Sequence, residues 1–472
     1  MDAFINWFLA LPIMVWICAH PYETIGLALV PILPLALFNL LAVLVVMERR
    51  GAAFIQDRPG PNRAGIWIPF VNTRIRGFGT VLNLADFIKL VMKEQFDPKF
   101  ASFGYYAVGP IIPLAIALII PAFLPFFAPI AFHAAEGGVA WLAGQNITSN
   151  SGLLLLFAFS SLSVYGIVLG SWASNSKYAL LGGMRASAMM ISYEVSIGLA
   201  AAGMFLIVGS FDLAKIVSWQ GSHVWGCVVQ PVGFILFTVA MFAECNRNPF
   251  DVVEGDSEIV AGFHTEYGAM RFMLFMSAEY FHLLLASLLI ATLFLGGYNL
   301  FPIPLPIGQN GEFIALDNFW VHKHLGLVLS ILLGLGAVGL AVAALLVHGR
   351  RTWYSRIQAS DAALRAKEYL LYIGAFSSGA VVLAVLAWLA TGWTTVQLAD
   401  TTWGWKVDLV VALVQASILV GKALLIAWLF VWVRWTLPRF RYDQIMALGW
   451  KVLLNIALLN LLITAVIAKL VA

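Results

Sequence analysis

Residues 189–209 read Met-Met-Ile-Ser-Tyr-Glu-Val-Ser-Ile-Gly-Leu-Ala-Ala-Ala-Gly-Met-Phe-Leu-Ile-Val-Gly, an apolar run whose one ionisable acid is Glu194. Crossing the hydrocarbon core of a bilayer takes about 20 such residues in a helix. The run therefore predicts a membrane span. Glu194 inside it costs roughly 2.5–3.5 kcal/mol on insertion scales, so it should face protein or water, and an intramembrane acid is a functional pointer by default.

Nine further segments qualify as spans: 23–47, 105–127, 152–174, 227–243, 272–297, 324–348, 370–392, 408–433 and 449–470. The expected fold is all-α, a polytopic transmembrane helix bundle of about ten spans. The composition agrees: 61% of residues are hydrophobic and 11% charged, against about 25% charged in soluble domains. A net charge of +3 gives no reason to expect nucleic acid. Cys18, Cys227 and Cys245 stand singly, with no CxxC pair, HExxH, P-loop or strand-borne GxGxxG. The chain is expected to hold no metal, cluster or nucleotide of its own.

Charge alternates between the connecting loops. Those near 48–104, 175–188, 244–271, 349–368 and 434–446 hold 21 of the 27 Lys and Arg. Positive charge marks the cytoplasmic side, which predicts both termini outside. Residues 3–18 read as a short interfacial helix. Residues 80–95 read as an amphipathic helix on the membrane surface, with Leu82, Phe87, Leu90 and Val91 on one side and Asp86, Lys89 and Lys93 available to water.

Three groups of residues call for more than membrane anchoring. The first loop carries Glu48-Arg49-Arg50 and then Arg58-Pro59-Gly60-Pro61-Asn62-Arg63, whose guanidinium donors suit an anionic group or a partner and equally suit ordinary membrane-flanking charge. Glu194, Glu279 and Lys422 lie inside spans, where a functional role competes with a structural ion pair. The third basic-side loop inverts the pattern, with Glu244, Asp251, Glu254, Asp256, Glu258 and Glu266 against Arg247. Glu254 and Glu258 would repel one another at helical i,i+4 spacing. Phe250, Ile259, Val260, Phe263 and Tyr267 interleave with these acids, which favours a packed, proton-responsive cluster over a solvated loop.

These segments resemble one family, the H-type, quinone-chamber membrane subunit of proton-pumping NADH:quinone oxidoreductase, respiratory complex I. The resemblance rests on Glu48-Arg49, the RPGPNR run 58–63, Ala85-Asp86 with Lys89, Lys93-Glu94, RASAMMISYEV 185–195 and AECNRNPFDVVEGDSEIVAGFHTEY 243–267. It continues with Ala278-Glu279-Tyr280, LFLGGY 293–298, Lys422 and RWTLPRFRYDQIMALGWK 434–451. It covers roughly 23–298 and 408–470.

The resemblance implies a bacterial inner-membrane, multi-pass subunit that binds no redox cofactor and takes quinone as the substrate of the complex. Implied partners are peripheral iron–sulfur and quinone-site subunits, antiporter-like membrane subunits and the lipid bilayer. Glu48, Arg49, Arg58 and Arg63 fall where the family lines the quinone path. Glu194, Glu244, Glu254, Glu258 and Glu279 match an acidic chain linking quinone chemistry to proton movement. Asp256 stands where a glutamate is usual, and Val252-Val253 where Leu-Pro is usual.

The reading divides the chain into a family-like membrane region with quinone-chamber loops (1–298), an insertion with two extra spans (299–407) and family-like C-terminal spans (408–472). The insertion reads either as padding or as a docking surface for an accessory subunit. Two other classes compete for the whole chain: the membrane anchor of a proton-pumping hydrogenase, and a secondary cation transporter. RPGPNR and PRFRYDQ favour the quinone enzyme over the first. The absence of an internal repeat disfavours the second.

Overall fold

The computed structural model describes residues 21–299 apart from 59, 62, 70–72, 134–138, 143 and 254–258, and then 325–356, 362–391 and 404–471. The helix expected over 3–18 lies outside the described residues. Among the described residues the chain is helical almost throughout, with two small antiparallel hairpins, β1 (Ile66–Ile68) with β2 (Thr73–Ile75) and β3 (Ile130–His133) with β4 (Val139–Leu142).

Among the described residues eight stretches are long and apolar enough to cross a membrane: Phe103–Phe123, Gly152–Ala173, Lys177–Val208, Ala269–Phe294, Gly326–Thr352, Lys367–Ala390, Val410–Thr436 and Tyr442–Leu470. The expected first span lies in α1 (Pro21–Ile55), which runs on through Glu48, Arg49 and Arg50. Those charges were expected in a loop. A helix satisfies its own backbone, so it can continue after its apolar surface ends.

The surface helix is α2 (Thr80–Met92), with Leu84, Phe87, Ile88, Val91 and Met92 all exposed. The second span is broken at Gly109-Pro110 into α3 (Phe103–Val108) and α4 (Ile111–Ile119). Gly109 sits so close to the next span, α5 (Gly152–Ala173), that a Cβ there would lie 2.7 Å from the Gly170 Cα. The run that opened the sequence reading belongs to α6 (Lys177–Val208), followed by α7 (Leu213–Ser222).

The fifth expected span is not one helix. A single turn, Gly226–Val229, precedes α8 (Pro231–Glu244), which has only 14 residues. That length rises about 21 Å, short of the roughly 30 Å core. Pro231 has no N–H to carry the helix across the junction. The break is served by the fully buried Gln220, whose Oε1 accepts from Gly226 N–H and Gly296 N–H at 2.9 Å each. Its Nε2 donates to the Thr292 and Leu293 carbonyls. The remaining helices are α9 (Ala269–Phe294), α10 (Leu325–Arg356), α11 (Ala362–Thr391), α12 (Gly404–Thr436), α13 (Tyr442–Ala447) and, after a π-helical turn Leu448–Leu453, α14 (Leu454–Val471).

The chain forms two compact units. One comprises residues 1–45, 90–303 and 415–472, and its core includes Phe237, Phe281, Phe294, Leu284 and Phe430. The other comprises 46–89 and 304–414, so α10 and α11 group with the first loop.

In this second unit α10 packs along α11, and α11 clasps the segment after β2. Arg76 donates its backbone N–H to Glu368 Oε1 at 2.6 Å and its guanidinium to Oε2 at 2.9 Å, with the two side chains 9% and 5% exposed. The Tyr372 hydroxyl donates to Glu368 Oε1 and accepts from Gly77 N–H at 2.7 Å. Phe78 turns back at φ 52° to meet Tyr372 and Phe376, and Arg50 lies over its ring. Within this unit α11 therefore braces the first loop.

Candidate functional site

In the first unit three carboxylates arrive from three helices. Glu194 comes from mid-α6, Glu244 from the last residue of α8, and Glu279 from the third turn of α9. Two cavities lie among them. One is lined by Glu194, Glu244, Cys245, Ser160 and His282 within an apolar wall. The other is lined by Glu244, Glu279, Cys245, Asn246, Ser163 and His282. Glu244 and His282 border both. Glu194, Glu244 and Glu279 are thus brought together around two spaces that share Glu244, Cys245 and His282.

The helix carrying Glu194 is held at the two residues just before it. The Tyr193 hydroxyl donates to the Ile445 carbonyl at 2.9 Å, and Ser192 Oγ accepts from Trp450 Nε1 at 3.2 Å. Gly449 packs on the Tyr193 ring, leaving 3.2 Å for a Cβ. These partners flank or occupy the π-helical turn 448–453. Turns of this type widen a helix locally and recur at functional sites.

The loop after α8 is pinned by the segment after α12. Asp251 is 3% exposed and accepts from Arg439 at 2.8 Å, and Phe440 N–H donates to the Pro249 carbonyl at 2.9 Å. Phe250 packs against both Tyr193 and Phe440. Arg247 lies over the Tyr280 ring at 4.4 Å. Asp251 is therefore an anchored structural acid. Burial, with Glu244 and Glu279 nearby, pushes the Cys245 thiol up, only partly opposed by Arg247. It stays a thiol. Glu254, Asp256 and Glu258 lie outside the described residues.

Lys422 is the third predicted intramembrane charge. Its ammonium donates to the carbonyls of Leu295, Gly297 and Asn299 at 2.7, 2.9 and 2.5 Å, and lies 4.5 Å from the Trp225 ring centroid. Gly296 and Gly297, at φ 75° and 55°, let the chain curl so that these carbonyls converge. The charge is satisfied by backbone dipoles and a π face.

The first-loop candidates belong to the second unit. Glu48 is buried at 6% exposure on α1. Arg49 pairs with Asp86 of α2 at 2.6 Å, both about two-fifths exposed, so the pair adds little stability. Arg58 and Arg63 are exposed, and Arg58 donates to Gln56. Among the described residues no group of three or more His, Cys, Asp or Glu is placed to hold a metal ion.

Sequence reasoning missed His282. Its signal was the three-residue spacing from Glu279, which puts both on one face of α9.

The NADH dehydrogenase family model matches residues 27–360 and 365–465. The chain belongs to the NADH dehydrogenase family. Its relatives include an H-type NADH-quinone oxidoreductase subunit of Leptospira biflexa, 35% identical over 87% of this chain and 85% of that protein. The H-type subunit of the same name from Salinibacter ruber is 32% identical over 96% of each chain. One from Solibacter usitatus is 36% identical over 91% of this chain and 92% of its own. The family match includes every candidate residue named above, and it also runs along α10 and most of α11.

Proposed function

We propose that this chain is the H-type membrane subunit of a proton-pumping NADH:quinone oxidoreductase. In this reading it forms part of the quinone path and couples quinone reduction to proton translocation. The observation that carries the coupling role is the meeting of Glu194, Glu244 and Glu279, from three different helices, around two cavities that share a wall. Three acids this close titrate as a set, so adding or removing a proton anywhere changes the charge state of all.

Quinone arrives laterally through the bilayer, past the exposed apolar face of α2 and the first loop. Glu48, Arg49, Arg58 and Arg63 line its path. Reduction beside peripheral iron–sulfur subunits builds negative charge on the quinone. Proton uptake then redistributes protons along Glu254, Asp256 and Glu258 and on through Glu244, Glu194 and Glu279 toward antiporter-like membrane partners. The chain itself supplies no redox centre. The complex sits in a bacterial inner membrane with the basic loops in the cytoplasm and both termini outside.

The test is gentle detergent purification, mass spectrometry of the co-purifying subunits and photolabelling with an azido-quinone. Iron–sulfur and NADH-binding partners, with label on residues 48–92, are expected. A nickel–iron hydrogenase partner and no quinone label would replace this reading with the hydrogenase anchor.

A further inference from the structure

His282 is the one residue besides Glu244 and Cys245 that borders both cavities. It sits one helical turn beyond Glu279 on α9, opposite Glu244 at the end of α8. Its Nε2 is shielded from solvent and makes no hydrogen bond within the chain among the described residues; the same holds for Glu244 Oε2. In the second cavity Ser163 Oγ and Asn246 Oδ1 are in the same condition. Buried polar atoms almost always find partners. Four such atoms around one small space mark a place where protons and hydrogen bonds are exchanged rather than fixed. The remainder of α9 beyond His282 is apolar and tightly packed, from Leu283 to Phe294 apart from Ser287 and Thr292. Those two hydroxyls are committed to carbonyls of their own helix. His282 is therefore the last group on this helix able to take up a proton.

We infer that His282 is a proton-carrying member of the coupling chain, joining the Glu194–Glu244 cavity to the Glu244–Glu279 cavity. This rests on the coupling role proposed above. The step moves one proton. An O–H bond at the Glu244 carboxyl breaks and an N–H bond forms at Nε2, leaving a carboxylate beside an imidazolium. The imidazolium then releases a proton to the carboxylate of Glu279 or Glu194, and the ring is neutral again. No electron moves. The groups facing the ring are Glu194, Glu244, Cys245 and Glu279, so the transient cation has three potential counter-charges and no facing cation in either cavity wall. An imidazole adds to three carboxyls a member that is neutral when they are charged. During the transfer the imidazolium lies among the ionised carboxylates and offsets their repulsion while the proton passes.

The test uses the whole complex in sealed vesicles, comparing His282→Gln, His282→Asn and Glu194→Gln. The readouts are complex abundance, NADH oxidation by a water-soluble electron acceptor, NADH:quinone kcat and KM across pH, and protons moved per quinone reduced. Both His282 variants are expected to assemble and to keep the soluble-acceptor rate. Their quinone kcat should drop about tenfold or more, with KM unchanged and a flattened pH profile. Full turnover and pumping in either variant overturns the inference. A fall that only follows lost assembly, equal in both variants and in soluble-acceptor activity, also overturns it by making His282 structural. If Glu194→Gln is impaired while the His282 variants are not, only this inference fails. If Glu194→Gln is also unimpaired, the coupling reading fails with it.

Discussion

Replacing Glu368 by Ala perturbs the brace between α11 and the first loop. The carboxylate is 5% exposed and meets three donors: the Arg76 backbone N–H, the Arg76 guanidinium and the Tyr372 hydroxyl. Removing one side of a buried ion pair leaves the other charge uncompensated and costs about 3–5 kcal/mol. The pair is too well buried for solvent to screen much of that. At tenfold per 1.4 kcal/mol, local opening of residues 73–79 rises roughly a hundredfold to several thousandfold. The amides of Arg76 and Gly77 respond to it, because their bonds to Glu368 and Tyr372 cross this brace. Hydrogen exchange read by mass spectrometry on the peptide containing 73–79 should accelerate by that factor, while peptides of α9 stay as in the parent. A double variant, Arg76→Leu with Glu368→Leu, should recover more than half of the protection, since no charge is left stranded. Unchanged exchange in Glu368→Ala would show that the brace carries no such energy. A double variant as fast as the single one would show that the stranded charge is not the cause.

Other perturbations follow from the same physics. Lys422→Met strands three carbonyls that now share one ammonium. It should destabilise the subunit by about 2–4 kcal/mol, seen as a lower melting temperature of the purified complex, with turnover per assembled complex retained. Cys245, 3% exposed with its thiol pushed up, should resist maleimide in the native complex even above the ordinary cysteine value of about 8.5 and label at once in denaturant. The sign follows from the raised thiol: the folded state prefers the protonated form, so the stability it contributes is fully present below the ordinary thiol value and is lost as pH rises from there toward the raised value of the folded state. Rapid native labelling at about pH 9 would contradict this.

The spans were legible because membrane crossing is a rule of length and hydropathy, and residues 189–209 satisfy it on sight. Glu194 and Glu279 were legible as acids in apolar runs. Glu244 was read as a loop acid and proves to be the last residue of a helix. The charges at 48–50 hid the continuation of α1, since a hydropathy reading ends where polarity begins. Gln220 serving the break before Pro231 was not legible, because a side chain satisfying backbone groups up to 76 residues away has no local pattern. The Arg76–Glu368 pair, 292 residues apart in sequence, was invisible for the same reason. Lys422 showed as a charge needing a partner, but carbonyls leave no mark in sequence. His282 carried only its spacing from Glu279.

The coupling of quinone reduction to proton movement by the acids that meet between α6, α8 and α9 stands or falls on Glu194→Gln. The amide keeps the shape while removing the titrating proton. The measurement is protons translocated and quinone reduced by the assembled complex in sealed vesicles. Normal assembly with coupled turnover reduced to about a tenth or less is expected. Full quinone reduction with full pumping in that variant would contradict the coupling role.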